Sequence, residues 1–187
     1  MKKLLIIPLL LFTACVGPTA HPAHTVPPGK CESQFGVNTN LCFPVAEVSF
    51  TRGITENMDV EFRADTMPRI QIGTRFQLHD GKEEKISCVV FSRYVRHIID
   101  DPEFSYLTFG LNLGKPAEGY DRYFTMAGSI SLQSPPNQGL PFDMSGLYCG
   151  YGYRSIPEKE GDNFWGAEFG LGIPQIFVFS IYRGRSF

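Results

Sequence analysis

From residue 30 onward, apolar and polar residues alternate with a period of two in short runs broken by turn residues, and no run carries the 3.6-residue period of an amphipathic helix. Met58, Val60, Phe62 and Ala64 alternate with Asp59, Glu61, Arg63 and Asp65. Ile70, Ile72, Thr74, Phe76 and Leu78 alternate likewise with Gln71, Gly73, Arg75 and Gln77. The pattern recurs over 46–54, 85–97, 104–113, 122–132, 147–154, 163–173 and 175–187, and more weakly over 31–39, which predicts ten strands. Thr55-Glu56-Asn57, Asp80-Gly81-Lys82, Asp100-Asp101-Pro102 and Gly114-Lys115-Pro116 mark turns between them. Ser134 to Ser145 is the one long connection. The chain is therefore expected to be all-β, with short antiparallel strands joined by turns.

Alternation alone is compatible with a soluble barrel or sandwich, whose apolar face is the core, and with a membrane barrel turned inside out. The polar faces bear on the choice. Glu47, Glu61, Arg63, Asp65, Gln71, Arg75, Gln77, Arg96 and Glu168 fall opposite the apolar face with both signs of charge present, as groups pairing across a narrow lumen would. These nine are the expected lumen-facing residues.

The N-terminus carries a different signal. Lys2 and Lys3 precede an apolar run, Leu4 to Phe12, too short to span a bilayer and broken by Pro8, and Phe12-Thr13-Ala14-Cys15 resembles a lipobox. This predicts a lipoprotein signal peptide over 1–14, lipidation at Cys15, a Pro-rich tether over 15–29 and a β-barrel domain over 30–187. Lipidation consumes one of five cysteines, and the remaining four, Cys31, Cys42, Cys88 and Cys149, suit disulfides in an exported protein. Cys31 with Cys42 is the favoured pair because both flank one short polar stretch, and Cys88 with Cys149 is the weaker one. A net charge of -2 offers no basic footprint for nucleic acid. The four histidines are scattered and no CxxC pair occurs, so no metal site and no cofactor is expected.

The last thirteen residues, Gln175 to Phe187, end in an aromatic that shares its parity with Phe177, Phe179 and Ile181. This resembles the C-terminal signature read by the outer-membrane assembly machinery. Arg183 and Arg185 share that parity, which suits a headgroup interface where basic side chains snorkel. Tyr120, Tyr123, Phe124, Tyr148, Tyr151, Tyr153, Phe164 and Trp165 lie near strand ends, as an aromatic girdle would. Val48 to Arg63 followed by Arg69 to Leu78, with Pro28-Gly29 opening the first strand, resembles the hairpins of small bacterial outer-membrane β-barrel proteins and lipoproteins. Glu61 and Arg75 stand where that pattern more often has Gly and Lys. The resemblance implies an outer-membrane location and a fold, an antiparallel up-and-down transmembrane β-barrel of about eight to ten strands; membrane lipid, through the lipobox, the assembly machinery, through the C-terminal signature, and an envelope protein are the expected partners. The resemblance carries no catalytic residues.

Three activities follow as expectations. The leading one is a structural or interaction role in the cell envelope without catalysis, with 134–145 as the contact surface. The second is a periplasm-facing soluble barrel or sandwich that binds a lipid or envelope partner, which requires a closed apolar interior. The third is an enzyme resembling the lipid A deacylases, with His97 near Ser92 and Ser105, but the His-x-Ser arrangement is absent.

Overall fold

The computed structural model describes residues 21–40, 43–80, 86–98, 105–117, 119–132, 143–157, 159, 161–173 and 177–187. They form ten strands, β1 (Cys31–Asn40), β2 (Phe43–Thr55), β3 (Met58–Asp65), β4 (Arg69–His79), β5 (Ser87–His97), β6 (Ser105–Ala117), β7 (Tyr120–Ser131), β8 (Asp143–Ser155), β9 (Asn163–Ile173) and β10 (Val178–Ser186). Each pairs antiparallel with its neighbours in sequence, and β10 pairs with β1 to close the barrel. At the seam, Cys31 N–H donates to Phe187 O at 2.7 Å and Phe187 N–H to Cys31 O at 2.9 Å. Closure leaves no strand edge to be satisfied by other means. The connections β2–β3, β4–β5, β6–β7 and β8–β9 lie at the end that holds both ends of the barrel's chain, and the other five lie at the opposite end.

Closure also fixes which residues face in. Along β10, Val178, Ser180, Tyr182 and Gly184 are buried while Phe179, Ile181, Arg183 and Arg185 are exposed, and the other strands sort by parity in the same way. The sorting is inverted relative to a water-soluble core. Among the fully buried side chains are Arg63, Arg75, Glu61 and Glu168, whereas Phe35, Ile72, Tyr151 and Phe169 are more than half exposed.

The two sides of the interior are filled differently. Charged side chains gather mainly on β2 to β5, and aromatic rings packed on glycines fill much of the rest. Tyr123 lies opposite Gly152, Phe164 opposite Gly184, Phe91 opposite Gly110, and Tyr182 between Gly36 and Gly166. Each ring takes the space that a Cβ on its glycine would need. A Cβ at Gly110 would come within 2.7 Å of Phe91 Cε1, but at Gly128 the nearest atom is 3.5 Å away. Three expected girdle residues, Tyr123, Tyr148 and Phe164, are thus interior filling; Tyr120, Tyr153 and Trp165 form a ring cluster on the outer wall, with centroids 5.3 and 5.1 Å apart.

The expected disulfides are not supported by this geometry. Cys31 opens β1 and Asn40 ends it, so the residues flanking Cys42 lie a strand of 10 residues away, about 30 Å against the roughly 7 Å Cα limit of a disulfide. Closeness in sequence is misleading here because the intervening segment is straight. Cys88 on β5 and Cys149 on β8 are three strand spacings apart, about 14 Å, and Cys31, Cys88 and Cys149 are all free. Cys42 itself lies outside the described residues, as do Cys15 and residues 134–142 of the expected contact segment 134–145, whose last three residues belong to β8.

Gly110→Val should prevent barrel formation, since neither the Phe91 ring nor the β7 backbone can yield, whereas Gly128→Ala should fold normally. The change in gel migration between unboiled and boiled samples separates the two outcomes; normal folding of Gly110→Val would refute the ring-on-glycine account.

Candidate functional site

The densest chemistry in the described molecule is the lumen. Glu61 on β3 is its centre: Oε2 accepts Arg93 Nε at 2.9 Å, and Oε1 accepts Arg63 Nε as well as His21 Nε2 at 2.5 Å. Arg63 reaches on to Glu47 at 2.9 Å. Toward the end that holds the termini, Asp59 takes a two-pronged bond from Arg75, at 2.9 and 2.5 Å. Across the seam, Arg154 on β8 grips both oxygens of Glu32 on β1 and lies 3.7 Å from the Phe164 ring centre. Glu168 accepts the Tyr148 hydroxyl at 2.8 Å and the Tyr123 hydroxyl at 3.1 Å. A buried charge is tolerable only when compensated: Glu61, Asp59 and Glu32 are each paired with arginine, and Glu168 accepts two hydroxyls.

Eight of the nine expected lumen residues are on the interior side, with Gln71 half-buried opposite Arg63 and Asp65 folded onto Arg69 through a 2.7 Å ion pair. Arg96 is not. It is exposed on the outer wall beside Tyr94, and Arg93 holds the interior position instead. The strand β5 misleads because its inward residues include Val89, Phe91 and Val95, so apolar residues mark the wrong face there.

Residues 21–29, expected to be a free tether, enter the barrel. Pro28 and Gly29, the latter at φ 77°, form a turn closed by Lys30 N–H to Pro27 O at 3.1 Å, the type II pattern of proline followed by positive-φ glycine. The turn sends the chain back from β1 into the lumen. Val26 N–H donates to Asp59 at 2.8 Å, and Thr25 donates to Gln77 through its N–H at 3.1 Å and its hydroxyl at 2.9 Å. His24 lies 3.4 Å from Asp121, and Asn112 donates to the His21 carbonyl at 3.0 Å. Gly53 and Gly114 make room on opposite walls: a Cβ at Gly53 would strike the Pro27 carbonyl, and one at Gly114 would lie 2.6 Å from Ala23 Cβ. His21, Ala23 and Val26 are buried as deeply as the barrel's own interior residues. The segment is a lumen plug. Its sequence signal was the Pro-Gly turn; its docking partners were invisible until the strands closed.

His97 ends β5 opposite Arg69, its side chain lying outside the described residues. Ser92 bonds Thr74 on the outer wall, and Ser105, though buried, is the cross-strand partner of the outward-facing Arg96 and so lies on the same side of the sheet. No group of three or more metal-ligating side chains occurs among the described residues.

Burial, with Arg75 and Arg63 nearby, outweighs the attraction of Glu61 and pushes His21 down to about 3 from 6.5. Docked His21 is therefore neutral, donating Nε2–H to Glu61, whereas the released segment would take up a proton below about 6.5. Docking then loses strength as pH falls from there toward 3. The His21 ring proton resonance should not titrate near 6.5 in the native protein and should do so in Gly114→Val, which displaces Ala23. A normal titration in the native protein would contradict the docked plug. Separately, Glu61→Ala leaves Arg93 and Arg63 without their shared partner and should cost about 3–5 kcal/mol in reversible urea unfolding; a loss below about 1 kcal/mol would show that the network is solvated.

No protein-family model matches the chain, and no curated protein matches it significantly. Among solved structures, the chain is similar to the translocator domain of the autotransporter NalP from Neisseria meningitidis, at 9% identity and a TM-score of 0.32, over 84% of this chain and 86% of that one. The barrel assignment rests on the strand pairing itself.

Proposed function

We propose that the chain is an outer-membrane lipoprotein whose small barrel spans the bilayer and serves a structural or interaction role in the cell envelope, without catalysis. One observation carries this reading: the outer wall is apolar on all ten strands while the interior is polar. Phe50, Phe62, Ile72 and Tyr94 are successive cross-strand partners from β2 to β5, and Tyr151, Phe169 and Phe179 continue the band across β8 to β10. A monomer in water does not sustain so extensive an exposed apolar surface. The 11 residues of β4 span about 36 Å, and at the roughly 40° tilt of such barrels they rise about 28 Å, close to the hydrocarbon thickness. A soluble lipid-binding barrel would need the opposite arrangement. The packed interior and its plug argue against an open pore.

Lipidation at Cys15 belongs to the same proposal. It is supported by the Phe12-Thr13-Ala14-Cys15 sequence, and Cys15→Ser should leave an uncleaved precursor that no fatty-acid analogue labels. Labelling that persists in this variant would remove it.

The membrane reading is tested by depth. An arginine facing lipid costs about 2–4 kcal/mol at the midplane and roughly 0–1 near an interface. Ile72→Arg should therefore impair assembly in vesicles far more than Ile54→Arg, which lies beside Arg52 at the rim. Both side chains are about half exposed, so a water-facing wall would accept both substitutions equally, and that result would overturn the proposal.

A further inference from the structure

Charge on the outer wall is sorted by sign and by end. Every strand carboxylate with a described side chain faces the interior. The charged strand residues facing outward are Arg52, Lys115, Arg122, Arg183, Arg185 and, at the opposite end, Arg96. All are cations, and all but Arg96 lie at the end that holds the plug turn and both ends of the barrel's chain. None of those five has a carboxylate partner among the described residues; Arg185 donates to the Gly161 carbonyl, and Arg122 donates to the Tyr120 hydroxyl at 2.6 Å while lying 4.9 Å from that ring's centre. Lys115 and Arg122 are direct cross-strand partners. Like charges in that position repel and destabilise the pairing unless an anion lies between them. Beside them runs the Tyr120–Tyr153–Trp165 cluster, with Trp165 directly opposite Arg183. Aromatic rings of this kind sit at headgroup level, and guanidinium and ammonium groups there meet phosphate.

We propose that this belt binds the phosphate headgroups of anionic phospholipids in the leaflet at the terminal end of the barrel. The inference rests on the membrane-spanning reading above and adds a lipid class to it. Zwitterionic lipid cannot neutralise the Lys115–Arg122 pair, because each headgroup brings its own cation. A protein partner is the less favoured occupant, since the belt is continuous with the apolar band that would be immersed in lipid. Anionic lipid satisfies both parts at once: the acyl chains cover the band and the phosphate sits among the cations.

Trp165 is the chain's one tryptophan and is 54% exposed within the belt, so its fluorescence reports the local lipid. The full chain is folded into phosphatidylcholine vesicles doped with either brominated phosphatidylglycerol or, at the same fraction, brominated phosphatidylcholine. The expected result is stronger quenching by the anionic lipid, equivalent to roughly fivefold local enrichment, the order that one cation near an anionic surface supplies. High salt should reduce the preference. The Lys115→Gln, Arg122→Gln, Arg183→Gln triple variant should abolish it, and Arg96→Gln should leave it unchanged. Equal quenching by both lipids, or a preference that survives the triple variant, overturns the belt while leaving the membrane reading intact. Quenching by neither lipid overturns both.

Discussion

The closed hydrogen-bond ladder between β10 and β1 is the constraint from which the rest of the molecule follows. Once Cys31 and Phe187 exchange backbone bonds, no strand can slip by one residue without turning every side chain on it to the wrong side. Parity then decides solvent. Odd residues of β10 and even residues of β4 face outward, and the ion pairs of Glu61, Asp59 and Glu32 are confined to the interior. The outer wall needs only to be apolar; the interior needs each charge matched, which is why its partners reach across several strands.

Filling that interior takes three kinds of material. Most of the salt bridges lie on the side formed by β2 to β5, with Arg154–Glu32 across the seam, and aromatic rings laid over glycines fill most of the side formed by β7 to β10, where Gly150, Gly152, Gly166 and Gly170 leave the wall bare for the rings. The plug closes the remaining gap, bonding to both sides. Glu61 illustrates the economy of the arrangement: it holds Arg63 and Arg93 and at the same time receives the plug through His21. The plug is thus bound by groups that also hold the wall, and its release would leave Asp59 and Glu61 still compensated by arginine.

Much of this was legible in the chain, and the exceptions have physical causes. Period-two alternation located all ten strands, because each carries an apolar outward side. It assigned Glu61, Arg63 and Arg75 to one face because β3 and β4 alternate cleanly. It failed on β5, where Val89 and Phe91 point inward and carry Arg96 to the wrong side of the argument. It also could not tell that Tyr123 and Tyr148 fill the lumen while Tyr153 and Trp165 face out, since aromatic residues suit both. The cysteines are a different case: Cys31 opens a strand that runs straight to Asn40, and Cys88 and Cys149 lie on strands three apart, so nearness along the chain says little about pairing. The plug was hidden because His21, Thr25 and Val26 have no periodicity and acquire partners only when the barrel encloses them. Composition read that segment as a tether; the type II turn at Pro28-Gly29 was the one local sign that it doubles back.

What the outer wall touches is the central claim, and spin-label accessibility measures it most directly. With labels placed singly at Phe62, Ile72 and Phe76 in a cysteine-free chain reconstituted in vesicles, all three should be relaxed by lipid-soluble oxygen and remain protected from an aqueous paramagnetic reagent. Protection from both agents would mean that the apolar face is buried against protein, and relaxation by the aqueous reagent would mean that it faces water; either result would contradict the membrane-spanning barrel.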